Sequence, residues 1–215
     1  MREALAYPIR GDHGEKALLS AWLCVFVHAI ALPVIALVPL VGYATTVLSR
    51  GHVGDPPPFL ERALVTRSLG ATLLAVGYGI VPIGTALVTV RLLTGADQPP
   101  TDANAIFVLA GSTTILVVLA GYAYVLPIAL ANYARAGSLR AGVSGLVGVA
   151  SHAAYFVGWA SGIVLFLAGL AVSSAFADLG GLYTVAGSLV GAYAVLASSR
   201  RIARGYAEAA DYRRH

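Results

Sequence analysis

Residues 17–49 read ALLSAWLCVFVHAIALPVIALVPLVGYATTVLS, 33 consecutive positions without an Asp, Glu, Lys or Arg. A helix needs roughly 20 apolar residues to cross the hydrocarbon core of a bilayer. The stretch is therefore a membrane segment, but it is too long for one upright span, and Pro33 and Pro39 interrupt it. Proline lacks the N–H that an interior helical position donates, and its ring crowds the preceding turn. Two readings follow. Either one long helix tilts or bends, or two short helices, from about His13 to Ala31 and from Pro33 to Arg50, fold back on each other.

Four further tracts without a formal charge run over 68–90, 103–134, 141–177 and 179–199. With the first they occupy most of the 215 residues, and the loops between them are too short to fold alone. The chain is thus a single integral membrane domain, 1–215, of all-α class: a polytopic transmembrane helix bundle. Composition agrees, since only 11% of residues are charged against about a quarter in soluble domains. A signal peptide is not expected, because the first apolar stretch far exceeds a signal h-region and Glu3, Asp12 and Glu15 precede it. Cys24 is the single cysteine, so an intramolecular disulfide is excluded. The net charge of +4 gathers at tract ends and forms no face for nucleic acid; it reports orientation.

One phrase recurs: YATTVLSR from Tyr43 to Arg50, YARAGSLR from Tyr133 to Arg140, and YAVLASSR from Tyr193 to Arg200. Seven helical residues are close to two turns, so each Tyr and Arg share a face with the Arg about 10 Å further along. An interfacial aromatic followed by a basic anchor fits this spacing, whether by three independent helix exits or by a hairpin repeated three times. The three ends are expected on one side of the membrane. If 17–49 is one span, ten basic residues fall on that side and four on the other; if it folds back, the partition becomes thirteen to one. The positive-inside rule favours the second. It predicts about six membrane helices in three hairpins, both termini cytoplasmic, in a multi-pass cell-membrane protein.

The punctuation between tracts adds detail. In Gly54-Asp55-Pro56-Pro57-Pro58-Phe59, Pro58 is placed to open a helix, whose stripe of Phe59, Leu60, Ala63 and Leu64 predicts a surface segment. The polar loop 94–104 and the turn at 178–181 belong outside. Pro127 predicts a bend, and the Gly-rich stretch 141–150 is expected at the interface or re-entering, with the span proper from about His152 to Phe176. In the tail, 200–214, Ile202, Tyr206 and Ala210 recur at helical spacing among five arginines, which predicts an interfacial amphipathic helix on anionic headgroups.

Candidate functional positions are few. His28 is the ionisable residue deepest in an apolar tract, one turn after Cys24. Two soft ligands at i, i+4 do not make a metal site, and a hydrogen-bonded core histidine is the plainer reading beside a relay or substrate role. Thr85, Thr89, Thr113 and Asn132, with Ser112, Thr114, Ser173 and Ser174, either line a path or bond their own helix carbonyls. The pairs Gly158/Gly162 and Gly187/Gly191 predict close packing of the last two helices. Tyr43, Arg50, Tyr133, Arg140, Tyr193, Arg200, Arg201 and Arg204 are expected at the lipid interface. No catalytic, nucleotide-binding or metal motif is present, and no cofactor is implied.

The run YVLPIALANYARAGSL over 124–139, with GDPPPF at 54–59, GYGIVP at 77–82 and RIARGY at 201–206, resembles an archaeal membrane protein family catalogued as domain of unknown function 4013. The resemblance covers nearly the whole chain in order and spacing. It implies a multi-helix archaeal cell-membrane protein and lends no activity. The stretch after Gly137, often acidic and aromatic in that family, is here Gly- and Val-rich, so no role of that segment is carried over. The sequence leads to a non-enzymatic membrane protein that organises or senses an anionic bilayer, or docks a protein partner or a second copy. The alternative is a small-solute permease or channel with a hydroxyl-lined path and His28.

Overall fold

A computed structural model describes residues 2–31, 33–94 and 102–212. These residues form helices joined by turns, with no strand among them. In chain order the helices are α1 (Arg2–Ala6), α2 (Gly11–Ala31), α3 (Val38–Ser49), α4 (Leu64–Thr94), α5 (Asp102–Ala136), α6 (Leu139–Gly142), α7 (Leu146–Ala150), α8 (Ala153–Leu179) and α9 (Leu182–Tyr212). Five of them, α2, α4, α5, α8 and α9, are long and apolar enough to cross a membrane, and a shorter apolar limb occupies Val34–Ser49.

The first tract breaks where its prolines dictate. α2 stops at Ala31; Pro33 stands in an extended conformation ahead of a 3-10 turn, Val34–Leu37, and Pro39 sits in the first turn of α3. There the missing N–H costs nothing, because first-turn donors have no intrahelical partner. Contacts with α9 give the directions of the two limbs. Glu3, ahead of α2, reaches Arg200, whereas Trp22 further along α2 donates to Ser188 Oγ at 2.9 Å. Beyond α3, Gly51 accepts from Arg200 at 3.0 Å. α2 therefore runs against α9, α3 runs with it, and the chain turns back at Pro33.

The last two helices make the most extensive contact in the fold, and glycine allows it. A Cβ built on Gly158 would lie 2.7 Å from Gly205 Cα, and one on Gly162 3.1 Å from Ser198 O. Gly187 abuts Ser173 O and Gly191 the Ser173 hydroxyl in the same way. Both glycine pairs thus pack α8 on α9 within one chain, as expected. Neighbouring α4 and α5 pair with each other and with α3. α5 meets α8 where Trp159 Nε1 donates to Ala123 O at 2.8 Å and Tyr155 to Tyr124 O. Two core clusters, one around Tyr133, Tyr155 and Tyr206 and one around Tyr7, Tyr43 and Leu196, hold the bundle together near the ends of α3, α5 and the tail. Further along, side chains such as Ile80, Leu87, Leu116 and Val164 are exposed, as a lipid-facing surface requires.

Two expectations change. No helix opens at Pro58: α4 begins at Leu64, and the prolines form an extended strap pinned by Tyr43, whose hydroxyl donates to Pro57 O at 3.0 Å and whose ring stacks on Phe59 at 4.8 Å. Phe59 is therefore buried while Leu60 is exposed, which breaks the stripe that a surface helix would need. The tail is not a separate interfacial helix either. α9 continues unbroken to Tyr212, and Ile202, Ala203, Tyr206 and Ala209 join the core. Helical spacing identifies an apolar stripe but does not say whether lipid or protein covers it. Pro82 and Pro127 lie inside α4 and α5, each of which continues as one helix. Most of the 94–104 loop lies outside the described residues. α5 ends at Ala136, and Gly137 follows with a φ of +68° that suits a residue without a Cβ. The stretch 139–150 forms two short helices before α8, which starts one residue after His152.

Candidate functional site

The ends of α3, α5 and the last third of α9 meet, and the polar chemistry of the molecule collects there. Seven residues after Tyr193, Arg200 leaves the apolar part of α9, yet its side chain turns inward and is 3% exposed. One N–H donates to Gly51 O at 3.0 Å and another to Glu3 Oε1 at 3.2 Å, while the guanidinium lies 5.2 Å above the Tyr7 ring. Arg204 takes the other oxygen of Glu3. Glu3 is thus clamped between two arginines, and the Arg200 hydrogen bond holds its carboxyl below the ordinary value although burial opposes the shift. Burial pushes the Tyr7 hydroxyl up to about 12, against the pull of Arg200 and Arg50. A neighbouring clamp joins Arg50 and Arg67 through Glu61, at 2.9 and 3.3 Å, with Arg67 also donating to Thr46 Oγ1 at 2.9 Å.

Arg135 differs from these. Its Nε donates to Ser49 O at 3.2 Å, and its guanidinium lies over the Tyr206 ring at 4.6 Å. Among the described residues no carboxylate lies within ion-pair distance of it. Tyr206 donates to Asn132 Oδ1, and Asn132 Nδ2 donates to Ser144 O at 3.0 Å. This relay ties α5, α9 and the turn between α6 and α7 into the wall of a cleft of about 410 Å³, lined by Asn132, Arg135, Ser144, Gly145 and Tyr206. The arrangement presents the outer N–H edge of one oriented guanidinium, a geometry suited to a phosphate or carboxylate.

The structure divides the residues singled out in the sequence. The Tyr-to-Arg phrases do converge on one end. Tyr43 and Tyr133, however, are buried, Tyr133 donating to Thr66 O at 3.3 Å, and Tyr193 donates to Leu5 O. Arg200 and Arg204 serve the Glu3 clamp, and Arg201 Nε donates to Ser161 Oγ at 2.8 Å. Arg140 stays exposed on α6. Tyr43, Tyr133 and Arg200 thus have no free face, whereas Arg140 keeps one. Asn132 joins Arg135 and Tyr206, away from the threonines. Thr85, like Ser112 and Thr114, bonds a carbonyl one turn back on its own helix; Thr89 lies on α4 and Thr113 on the exposed face of α5. His28 lines a separate cleft with Ser173. Sequence reasoning missed Arg135 and Glu3 as site residues: the first stood in the quoted NYAR run, while nothing local marks the second.

Fold and polar end define a class, an α-helical protein with apolar helices compatible with embedding in a membrane and with a cluster of arginines at one end of the bundle. Within it, this chain belongs to the family described as "Protein of unknown function (DUF4013)", whose model matches residues 25–177. No curated protein and no solved structure matches it.

Proposed function

We propose that the protein is a non-enzymatic, multi-pass organiser of the cell membrane that gathers anionic lipid at its inner, basic end. The observation that carries this reading is Arg135: oriented by Ser49 O and the Tyr206 ring, without a carboxylate partner among the described residues, and open to a cleft at the helix ends. Arg62 and Arg140, both exposed, extend the positive surface. Each such cation near an anionic surface is worth about 1 kcal/mol. In nanodiscs, wild-type protein is expected to retain phosphatidylglycerol over phosphatidylcholine, with the preference falling as salt rises. Arg135→Gln should weaken retention about fivefold. Equal retention by wild type and Arg135→Gln would remove the basis of the proposal. The alternative of a permease draws no support from hydroxyls that bond their own helices; solute flux through reconstituted protein that is lost on His28→Ala would favour it.

Orientation belongs to the same reading. Glu3 meets Arg204, and His52 meets Asp211 at 3.3 Å, so Glu3 and the last turns of α9 lie at one end of the bundle. On this reading the chain crosses an even number of times, with Val34–Ser49 as the sixth crossing beside the five long helices. That limb reaches roughly 26 Å at ordinary helical rises, short of the hydrocarbon thickness by only a few ångströms. On a Cys24→Ser background, an impermeant thiol reagent applied to intact cells should label Leu182→Cys but neither Ala6→Cys nor Glu208→Cys. Labelling at Ala6 would reverse the orientation, and labelling at Ala6 without Glu208 would restore five spans.

A further inference from the structure

The cleft of about 410 Å³ beside α5, the α6–α7 turn and α9 has one charged residue among the described residues that line it, Arg135. Asn132, Ser144 and Tyr206 join it, and the rest of the wall is alanine, glycine and valine. With Nε on Ser49 O and the Tyr206 ring against its plane, the guanidinium keeps its two terminal nitrogens without a partner among the described residues. One guanidinium balances one negative charge. That suits a phosphodiester, whereas a phosphomonoester carries close to two charges at neutral pH. No carboxylate among the described residues lines the cleft, so the ammonium of a zwitterionic headgroup would find no counter-charge there.

The neutral part of the wall offers hydroxyl chemistry instead. Ser144 is exposed, and its hydroxyl donates to Ala141 O at 3.2 Å, which leaves its oxygen as an acceptor. Asn132 Nδ2 gives one of its two protons to Ser144 O at 3.0 Å, which leaves the other as a donor. A headgroup hydroxyl both donates and accepts, so this pair suits it. Val143, next to Ser144, and Val147 are exposed on the same short stretch, an apolar flank that favours a ligand with acyl chains over a soluble one. Resting on the anionic-lipid reading of this end, we infer that the cleft is a headgroup site selective for a lipid whose phosphodiester bears a polyol, with the phosphate at Arg135 and a headgroup hydroxyl at Ser144 and Asn132. Its volume falls in the ordinary range of small-ligand sites. Charge draws any anionic lipid to this end, and the hydroxyl contact decides which one stays.

The test compares two lipids of equal charge on the whole protein. Nanodiscs of phosphatidylcholine are doped with phosphatidylglycerol or with phosphatidylethanol, a phosphodiester of the same single charge whose headgroup has no hydroxyl. Native mass spectrometry then counts the lipid retained on the purified protein. Wild type should retain phosphatidylglycerol about fivefold over phosphatidylethanol, as expected for one net hydrogen bond. Ser144→Ala should bring the two to parity while both still exceed phosphatidylcholine, whereas Ser144→Thr, which keeps the hydroxyl, should keep the preference. Ser144 is exposed, so thermal melting of both variants should match wild type. Soluble glycerophosphoglycerol should not displace the bound lipid; displacement would assign the cleft to a free phosphodiester and overturn the lipid source. Equal retention of the two anionic lipids by wild type, or an unchanged preference in Ser144→Ala, overturns the inference and leaves the anionic-lipid reading standing as long as Arg135→Gln weakens retention of both. If neither lipid exceeds phosphatidylcholine, that reading fails and the headgroup site fails with it.

Discussion

Gly158→Leu is expected to separate α8 from α9 with a large loss of stability. A Cβ at Gly158 meets the Cα of Gly205 at 2.7 Å, and a Cβ at Gly205 meets Ala154 O at 2.7 Å and Gly158 Cα at 2.9 Å. The obstructing atoms are backbone, so no side chain can swing aside. In lipid the two helices gain nothing by hiding apolar surface from water, and close packing is the main attraction between them. Overpacking at such a contact costs about 3 kcal/mol, which for a chain of this size lowers Tm by roughly 6–12 °C. Gly84→Leu provides the control, because nothing lies within 4 Å of its Cβ position. Thermal unfolding followed by size-exclusion chromatography compares them. Equal Tm values for the two variants would show that the glycine contact does not hold the helices together.

Removing Glu3 should release the start of the chain. Glu3→Gln leaves the buried Arg200 with Gly51 O but no counter-charge, and breaking a buried pair in this way costs 3–5 kcal/mol when both partners are dry. The Glu3 side chain is 38% exposed, so water screens part of the interaction and about 2 kcal/mol is the expected loss. Limited proteolysis should then cut ahead of α2, where the wild type resists. Acid gives the same effect by another route. Because the folded protein holds the Glu3 carboxyl below its ordinary value of 4.5, its contribution is complete above that pH. It is lost as pH falls below 4.5 and through the depressed value. Tm measured from pH 6 down to pH 3 should fall less steeply for Glu3→Gln than for wild type. Parallel curves would assign the acid response to other carboxylates.

Much of the fold was legible because a bilayer imposes simple rules on sequence. Long uncharged tracts located α4, α5, α8 and α9, since an uncompensated charge in hydrocarbon is costly. Pro33 located the fold-back, and the small-residue pairs located the α8–α9 contact. Less legible was anything that depended on which neighbour covers a surface. Ile202, Tyr206 and Ala210 read equally as a stripe for lipid and as a stripe for protein; α5 and α8 cover the first two, and the tail became core. Phe59 fitted a surface helix until the Tyr43 ring claimed it.

The sequence by itself determined that this is a membrane-embedded helical chain with its positive charge at particular helix ends, because length, hydropathy and charge act residue by residue. Only the tertiary structure decided which of those charges are free. Arg200 and Arg204 share Glu3 from the other end of the chain, and Arg50 and Arg67 share Glu61, whereas Arg135 is steered by a backbone carbonyl and a tyrosine ring into an open cleft. Ion pairing is a property of distances of a few ångströms, and folding alone brings residues some 200 positions apart in the chain to such distances.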